Sequence, residues 1–269
     1  MFYINFRKSL LAALILMSVS TAQPSIYSIF DKVGCATDWF LTKGDLSEHN
    51  QKLFEEMAAK LGIQDRNIKA KNSGLFLRLM AGYQNALAMQ HLNRTYFNDT
   101  VLNEMSDDAK RFLMAHELVH HRQNHVFKRG LAIMLLKCAT IASTIALAGQ
   151  NNFNARYLSN GINLRIARLS LWKLIEAQIM QGQETEADTK AITIACADPE
   201  FGVEALDSLY HPNATDWPLY AKVLLLFQKA TIWLYDWPIL KQHAPHLVSY
   251  KERVAYVRSL KKNKNQINS

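Results

Sequence analysis

The chain predicts a mainly α, α+β fold built around one hydrophobic core, and three observations lead there. Its 269 residues suffice for a sizeable core, and neither a Pro/Gly/Ser-rich linker nor an internal repeat divides them. Apolar residues recur at helical spacing in separate stretches, among them Leu46 to Ile63 and the run after Ser106. The second of these contains His116-Glu117-Leu118-Val119-His120, an H-E-x-x-H pattern whose chemistry requires a helix.

At the start of the chain, Met1 to Lys8 is short and basic, Ser9 to Val19 is apolar, and Ser20-Thr21-Ala22 is a small-residue cleavage site. This order predicts a secretory signal peptide over 1–22, because an apolar run of about 11 residues falls short of the roughly 20 that a spanning helix needs. Cys35 lies too far downstream for lipid attachment at a new N-terminal cysteine. One domain is expected over 23–260, followed by a basic disordered tail at 261–269 containing Lys261, Lys262 and Lys264. Within the domain, Leu46 to Ile63 reads as an amphipathic helix that stops at Gly62.

The helix that carries the motif begins at Ser106, a good N-cap. Asp107 and Asp108 complement the positive helix end, and Phe112, Leu113, Leu118 and Val119 form the apolar positions. On such a helix His116 and His120 project from one face and reach the same tetrahedral zinc. Glu117 sits beside them, placed to take a proton from metal-activated water and pass it to the leaving amine of a peptide. A catalytic zinc needs a third protein ligand and an open position, and Gln183-Glu184-Thr185-Glu186-Ala187-Asp188 supplies the carboxylate. Glu184 and Asp188 share a helix face, so Glu184 is expected as the ligand and Asp188 as the acceptor that orients a ligand histidine. Glu186 lies about 200° around from Glu184 and points elsewhere. One zinc ion per chain is the expected cofactor.

Leu131 to Ala148 approaches the length of a spanning helix, but a single crossing would separate the histidine pair from Glu184. The only return segment, Asn163 to Met180, carries Arg165, Arg168, Lys173 and Glu176, which are costly in hydrocarbon. Two packed or interfacial helices are therefore expected, with peripheral membrane contact through 131–149 as an alternative to core packing. Leu219 to Leu234, flanked by Trp217, reads as a buried helix. Cys35, Cys138 and Cys196 lack C-x-x-C spacing, which excludes a cysteine zinc site and leaves one disulfide or buried thiols open. The net charge of +8 brings no base-stacking motif with it, so nucleic acid is not an expected partner.

The H-E-x-x-H helix followed by Glu184-x-x-Ala187-Asp188 resembles the zinc metallopeptidases of the HtpX and CAAX-prenyl-protease family, including periplasmic BepA-like and mitochondrial Oma-like members. The resemblance spans roughly Leu46 to Leu260 and implies a zincin-like domain with a short substrate-binding edge strand or small sheet. Asn85-Ala86-Leu87-Ala88 resembles the family's N-A-F-A stretch, which implies a substrate-binding role for Asn85 and Ala86 ahead of an edge strand at Arg94 to Phe97. His246 to Val254 resembles the family's H-P-S-Y-x-E-R-V segment, with one extra residue and no proline after the histidine. It implies that His246, or His243 in its place, stabilises the oxyanion. Arg253 is equally explained by a buried ion pair.

The expectation is an exported zinc endopeptidase acting on misfolded or envelope proteins, with the bacterial periplasm as the setting implied by the resemblance. The rival from another class is a zinc-stabilised chaperone or assembly factor that cleaves little. A latent enzyme with His243 or His246 on the open zinc position is a third reading.

Overall fold

The computed structural model describes residues 24–81, 86–148, 178–195, 198–235 and 250–267. The signal-peptide segment, Asn85, Cys196, His243 and His246 lie outside them, as does nearly all of the Asn163 to Met180 stretch. In chain order the elements are α1 (Pro24–Leu41), β1 (Thr42–Asp45), α2 (Glu48–Lys60), a 3-10 turn (Gln64–Arg66), β2 (Lys69–Ser73), α3 (Leu75–Ala81) and β3 (Leu87–Met89). A second 3-10 turn (Gln90–Leu92), β4 (Arg94–Phe97), α4 (Asp99–Leu102), α5 (Asp107–Gln123) and α6 (His125–Ala148) follow. The described chain ends with α7 (residues 178–195), α8 (Glu200–Tyr210), α9 (Leu219–Tyr235) and α10 (Tyr250–Ile267).

Helix α5 is the axis of the core. Ser106 caps it as expected, its hydroxyl accepting from the Ala109 amide at 3.3 Å, while its own amide and hydroxyl reach Glu204 on α8 at 2.8 and 2.7 Å. A cap of this kind contributes about 1 kcal/mol. Phe112, Leu113, Met114, Ala115, Leu118 and Val119 are buried, and α5 packs against both α2 and α8. Burial of each large apolar side chain is worth roughly 1.5–3 kcal/mol. Helix α8 comes close because Gly202 has no side chain there: a Cβ would meet Ile192 Cδ1 at 2.9 Å and Phe112 Cε2 at 3.1 Å. Helix α2 ends near its expected stop, with Gly62 in the left-handed region at φ 65°.

The sheet order is β1-β2-β4-β3, with β2 and β4 parallel and the other two pairs antiparallel. This corrects the expected edge strand. Arg94 to Phe97 pairs on both sides and all four residues are buried, whereas among the described strands the edges are β1 and, next to β4, β3, formed by Leu87, Ala88 and Met89. The N-A-L-A stretch therefore runs into the edge strand itself. The tail differs as well, since α10 continues as helix to Ile267 through most of the segment expected to be disordered. Leu131 to Ala148 is the bulk of α6, and no helix among the described residues is long and apolar enough to cross a membrane. Among the described side chains of α9, Ala221 and Leu225 are buried, while Leu219 and Leu226 are exposed. Cys35 and Cys138 are free thiols.

One buried cation ties the N-terminal helix to the sheet. Arg94, fully buried on β4, donates to Asp31 Oδ1 at 2.7 Å and to Asp38 Oδ2 at 3.1 Å, both on α1. Burial works against the Asp31 carboxylate, but hydrogen bonds from Arg94 and Lys69 outweigh it and hold its pKa below the ordinary 3.8. The folded value thus lies below the unfolded one, so this stabilisation is present above about pH 4 and is lost as the pH falls further. Arg94→Met is expected to lower unfolding stability in urea by about 3 kcal/mol near neutrality, because two carboxylates lose their buried partner. The same titration repeated near pH 3 should show a smaller deficit, since the Asp31 contribution shrinks once the pH falls below the ordinary carboxylate value of 3.8.

Candidate metal centre

Three helices converge on one cluster. Helix α5 brings His116, Glu117 and His120, α7 brings Glu184 and Asp188, and α10 brings Arg253. The i, i+4 spacing on α5 turns both imidazoles toward α7, with their Nε2 atoms 3.1 Å apart. Glu184 completes a triangle, its Oε2 lying 3.3 Å from His116 Nε2 and its Oε1 3.4 Å from His120 Nε2.

These separations test the fit of a metal. Zinc bonds of about 2.0–2.1 Å in tetrahedral geometry place neighbouring donors roughly 3.4 Å apart, close to all three observed edges. Two imidazoles and one carboxylate are a donor set that zinc accepts in hydrolytic sites. Among the described residues, this is the one group whose histidine and acidic ligand atoms lie close enough together, within 4.8 Å, to hold an ion.

Charged groups behind the triangle fix its shape. Asp188, 1% exposed in its side chain, accepts from His116 Nδ1 at 2.9 Å, which leaves Nε2 to face the other donors. Arg253 grips the same carboxylate with two bonds, Nε to Oδ2 at 2.7 Å and Nη2 to Oδ1 at 2.8 Å, and reaches Glu184 Oε2 at 3.2 Å. Burial opposes charge on every member, yet the hydrogen bonds of Asp188 and Glu184 to His116 win. They push the His116 imidazole upward and hold Glu184 below its ordinary range, while Asp188 is held low by its hydrogen bonds from Arg253 first and from His116 second. His120 is pushed down, by burial first and by the His116 charge second, and is a neutral donor.

Glu117 behaves differently. It is 8% exposed and forms no ion pair among the described residues, so burial, reinforced by Glu184 and partly offset by the charges of His116 and Arg253, raises its pKa to about 7. A carboxyl titrating near neutrality beside a metal triangle is suited to general acid–base work. It is also hydrogen-bonded to the backbone of Ala88, which places the edge strand β3 alongside it.

The structure thus brings together His116, Glu117, His120, Glu184 and Asp188. Ala86 is half-buried immediately before β3, packed against the main core. Glu186 points away from the triangle, as its helical angle requires, and meets His125 instead. Sequence reasoning left Arg253 undecided, and its partners Asp188 and Glu184 settle it as the clamp of the site. His125 was missed, although the αL-prone Asn124 marks the break after which it begins α6. The supports of the α5 terminus were missed too: Gln90 donates to the His120 carbonyl, and Arg66 Nη1 to the His121 carbonyl at 2.7 Å. No local signal announces a side chain that caps a helix from another element.

The family model for Peptidase family M48 matches residues 47–250, which include His116 to His120 and Glu184 to Asp188. No curated protein and no solved structure matches the chain.

Arg253→Met is expected to destabilise the metal-free protein by about 3–5 kcal/mol, because Asp188 would be left buried with only His116 as its cationic partner. Thermal unfolding with and without added zinc checks this. The deficit should shrink in saturating zinc, since a divalent cation returns positive charge to the two carboxylates.

Proposed function

The chain belongs to peptidase family M48, and from that premise we propose that it is an exported zinc-dependent endopeptidase. The observation that carries this reading is the triangle of His116, His120 and Glu184, with donor separations of 3.1–3.4 Å and Glu117 beside it. His116, His120 and Glu184 would hold one zinc ion per chain. When bound, that ion supplies a Lewis acid that makes water nucleophilic near neutral pH. Glu117 accepts the proton of the attacking water and delivers it to the amine as the peptide bond breaks. The edge strand β3, joined to Glu117 through Ala88, would take an extended peptide by main-chain hydrogen bonds, with Asn85 and Ala86, which precede it in sequence, contributing as the resemblance implies. Backbone pairing of that kind tolerates many sequences, which suits misfolded envelope proteins as clients. Arg253 is committed to Asp188 and Glu184, and the resemblance to the family's H-P-S-Y-x-E-R-V segment assigns oxyanion stabilisation to His246, or to His243.

The basic and apolar leader over residues 1–22 supports export, with the periplasm as the compartment. Peripheral membrane contact through 131–149 accords with the apolar character of α6.

A second reading, a chaperone that cleaves little, draws support from exposed apolar side chains: Trp39 on α1, Leu75 and Phe76 on α3, and Leu219 and Leu226 on α9. One substitution separates the two. Glu117→Gln should keep one zinc per chain by elemental analysis while casein cleavage falls by about 10²–10⁴-fold. Glu184→Ala should lose or weaken zinc and cleavage together. Zinc in the wild type without chelator-sensitive cleavage would favour the chaperone or latent enzyme, and a wild type without zinc would sink the metallopeptidase assignment.

A further inference from the structure

His116 has its orienting carboxylate in Asp188, and His120 has a different partner. Its Nδ1 lies 2.8 Å from Nδ1 of His125, the first residue of α6. His125 is 2% exposed, its Nε2 is 3.3 Å from Glu186 Oε2, and Lys190 Nζ holds the other Glu186 oxygen at 2.6 Å. A second grip from α7 fixes its backbone, as Gln183 Nε2 donates to the His125 carbonyl at 2.9 Å.

Proton placement along this chain follows from counting donors and acceptors. His120 Nε2 faces His116 and Glu184, so that nitrogen must offer its lone pair to an ion and the ring proton sits on Nδ1. Two Nδ1 atoms at hydrogen-bond distance need one proton between them, so His125 Nδ1 accepts and its own proton sits on Nε2. Glu186 then accepts that proton. Every step runs in one direction, and the opposite direction would protonate His120 Nε2 and remove it as a ligand.

We propose that His125, held by Glu186, is the positioning residue for His120, fixing its Nε2-ligating tautomer and its ring orientation as Asp188 does for His116. The proposal rests on the metallopeptidase reading above. It also accounts for Glu186, which is turned away from the triangle yet within reach of His125.

The test measures zinc dissociation constants by competition with a chromogenic chelator, for the wild type, His125→Ala, His125→Asn and Glu186→Ala. Circular dichroism of the metal-free proteins serves as the fold control. His125→Ala should weaken zinc binding about 10–100-fold. His125→Asn should recover much of that loss, because its amide oxygen can accept from His120 Nδ1, and a purely structural role would not predict this rescue. Glu186→Ala should give a smaller weakening. If His125→Ala does not fold, Glu186→Ala carries the test, since its side chain is 39% exposed. A folded His125→Ala that binds zinc within about twofold of wild type, an asparagine variant no better than alanine, or an unchanged Glu186→Ala overturns the proposal while leaving the metallopeptidase reading intact. A wild type that binds no zinc overturns both.

Discussion

The buried carboxylate of Asp188 is the constraint around which the catalytic half of the molecule is arranged. An ionised carboxylate with almost no solvent exposure is tolerated only if nearly every lone pair is met by a strong donor. Here the donors come from two other helices: the His116 imidazole on α5 and the Arg253 guanidinium on α10. The three helices must therefore approach in one relative position, and that position brings Glu184, one turn before Asp188, up to the two imidazoles. The contact that orients the metal ligands is also the one that packs the helices together.

The sheet contributes from the opposite side. His121, the residue after the second motif histidine, points away from the His116, His120 and Glu184 triangle and places Nε2 3.1 Å from Thr95 Oγ1 and 3.2 Å from the Arg94 carbonyl oxygen. Gln90 and Arg66, from the two 3-10 turns beside the strands, cap the last carbonyls of α5. These links set the distance between the metal helix and β3, and hence the place of the edge strand relative to Glu117. The same β4 residue, Arg94, anchors α1 through Asp31 and Asp38. The sheet thus serves as a frame between the N-terminal helix and the site.

Much of this was legible in the residues. Ser106 as a cap, Gly62 as a stop, the i, i+4 histidines and the Glu184/Asp188 face depend on local backbone geometry, which a linear sequence encodes directly. The edge strand was assigned to Arg94–Phe97 because strand order is set by pairing across distant segments, and β2 occupied the side of β4 that was taken to be open. The α9 helix was expected to be buried because its composition is largely apolar, whereas burial depends on which neighbours reach each face.

What the sequence determined by itself was the chemistry: which side chains can hold a metal, which can move a proton, and which helical faces carry them. Those properties follow from residue type and from the fixed 3.6-residue period. The tertiary structure alone decided the rest: that Arg253 clamps Asp188, that His125 and Glu186 stand behind His120, and that Ala88 meets Glu117. Each of these pairs joins separate elements of the chain, and only packing could settle their distances, because no local conformational preference extends from one element to the next.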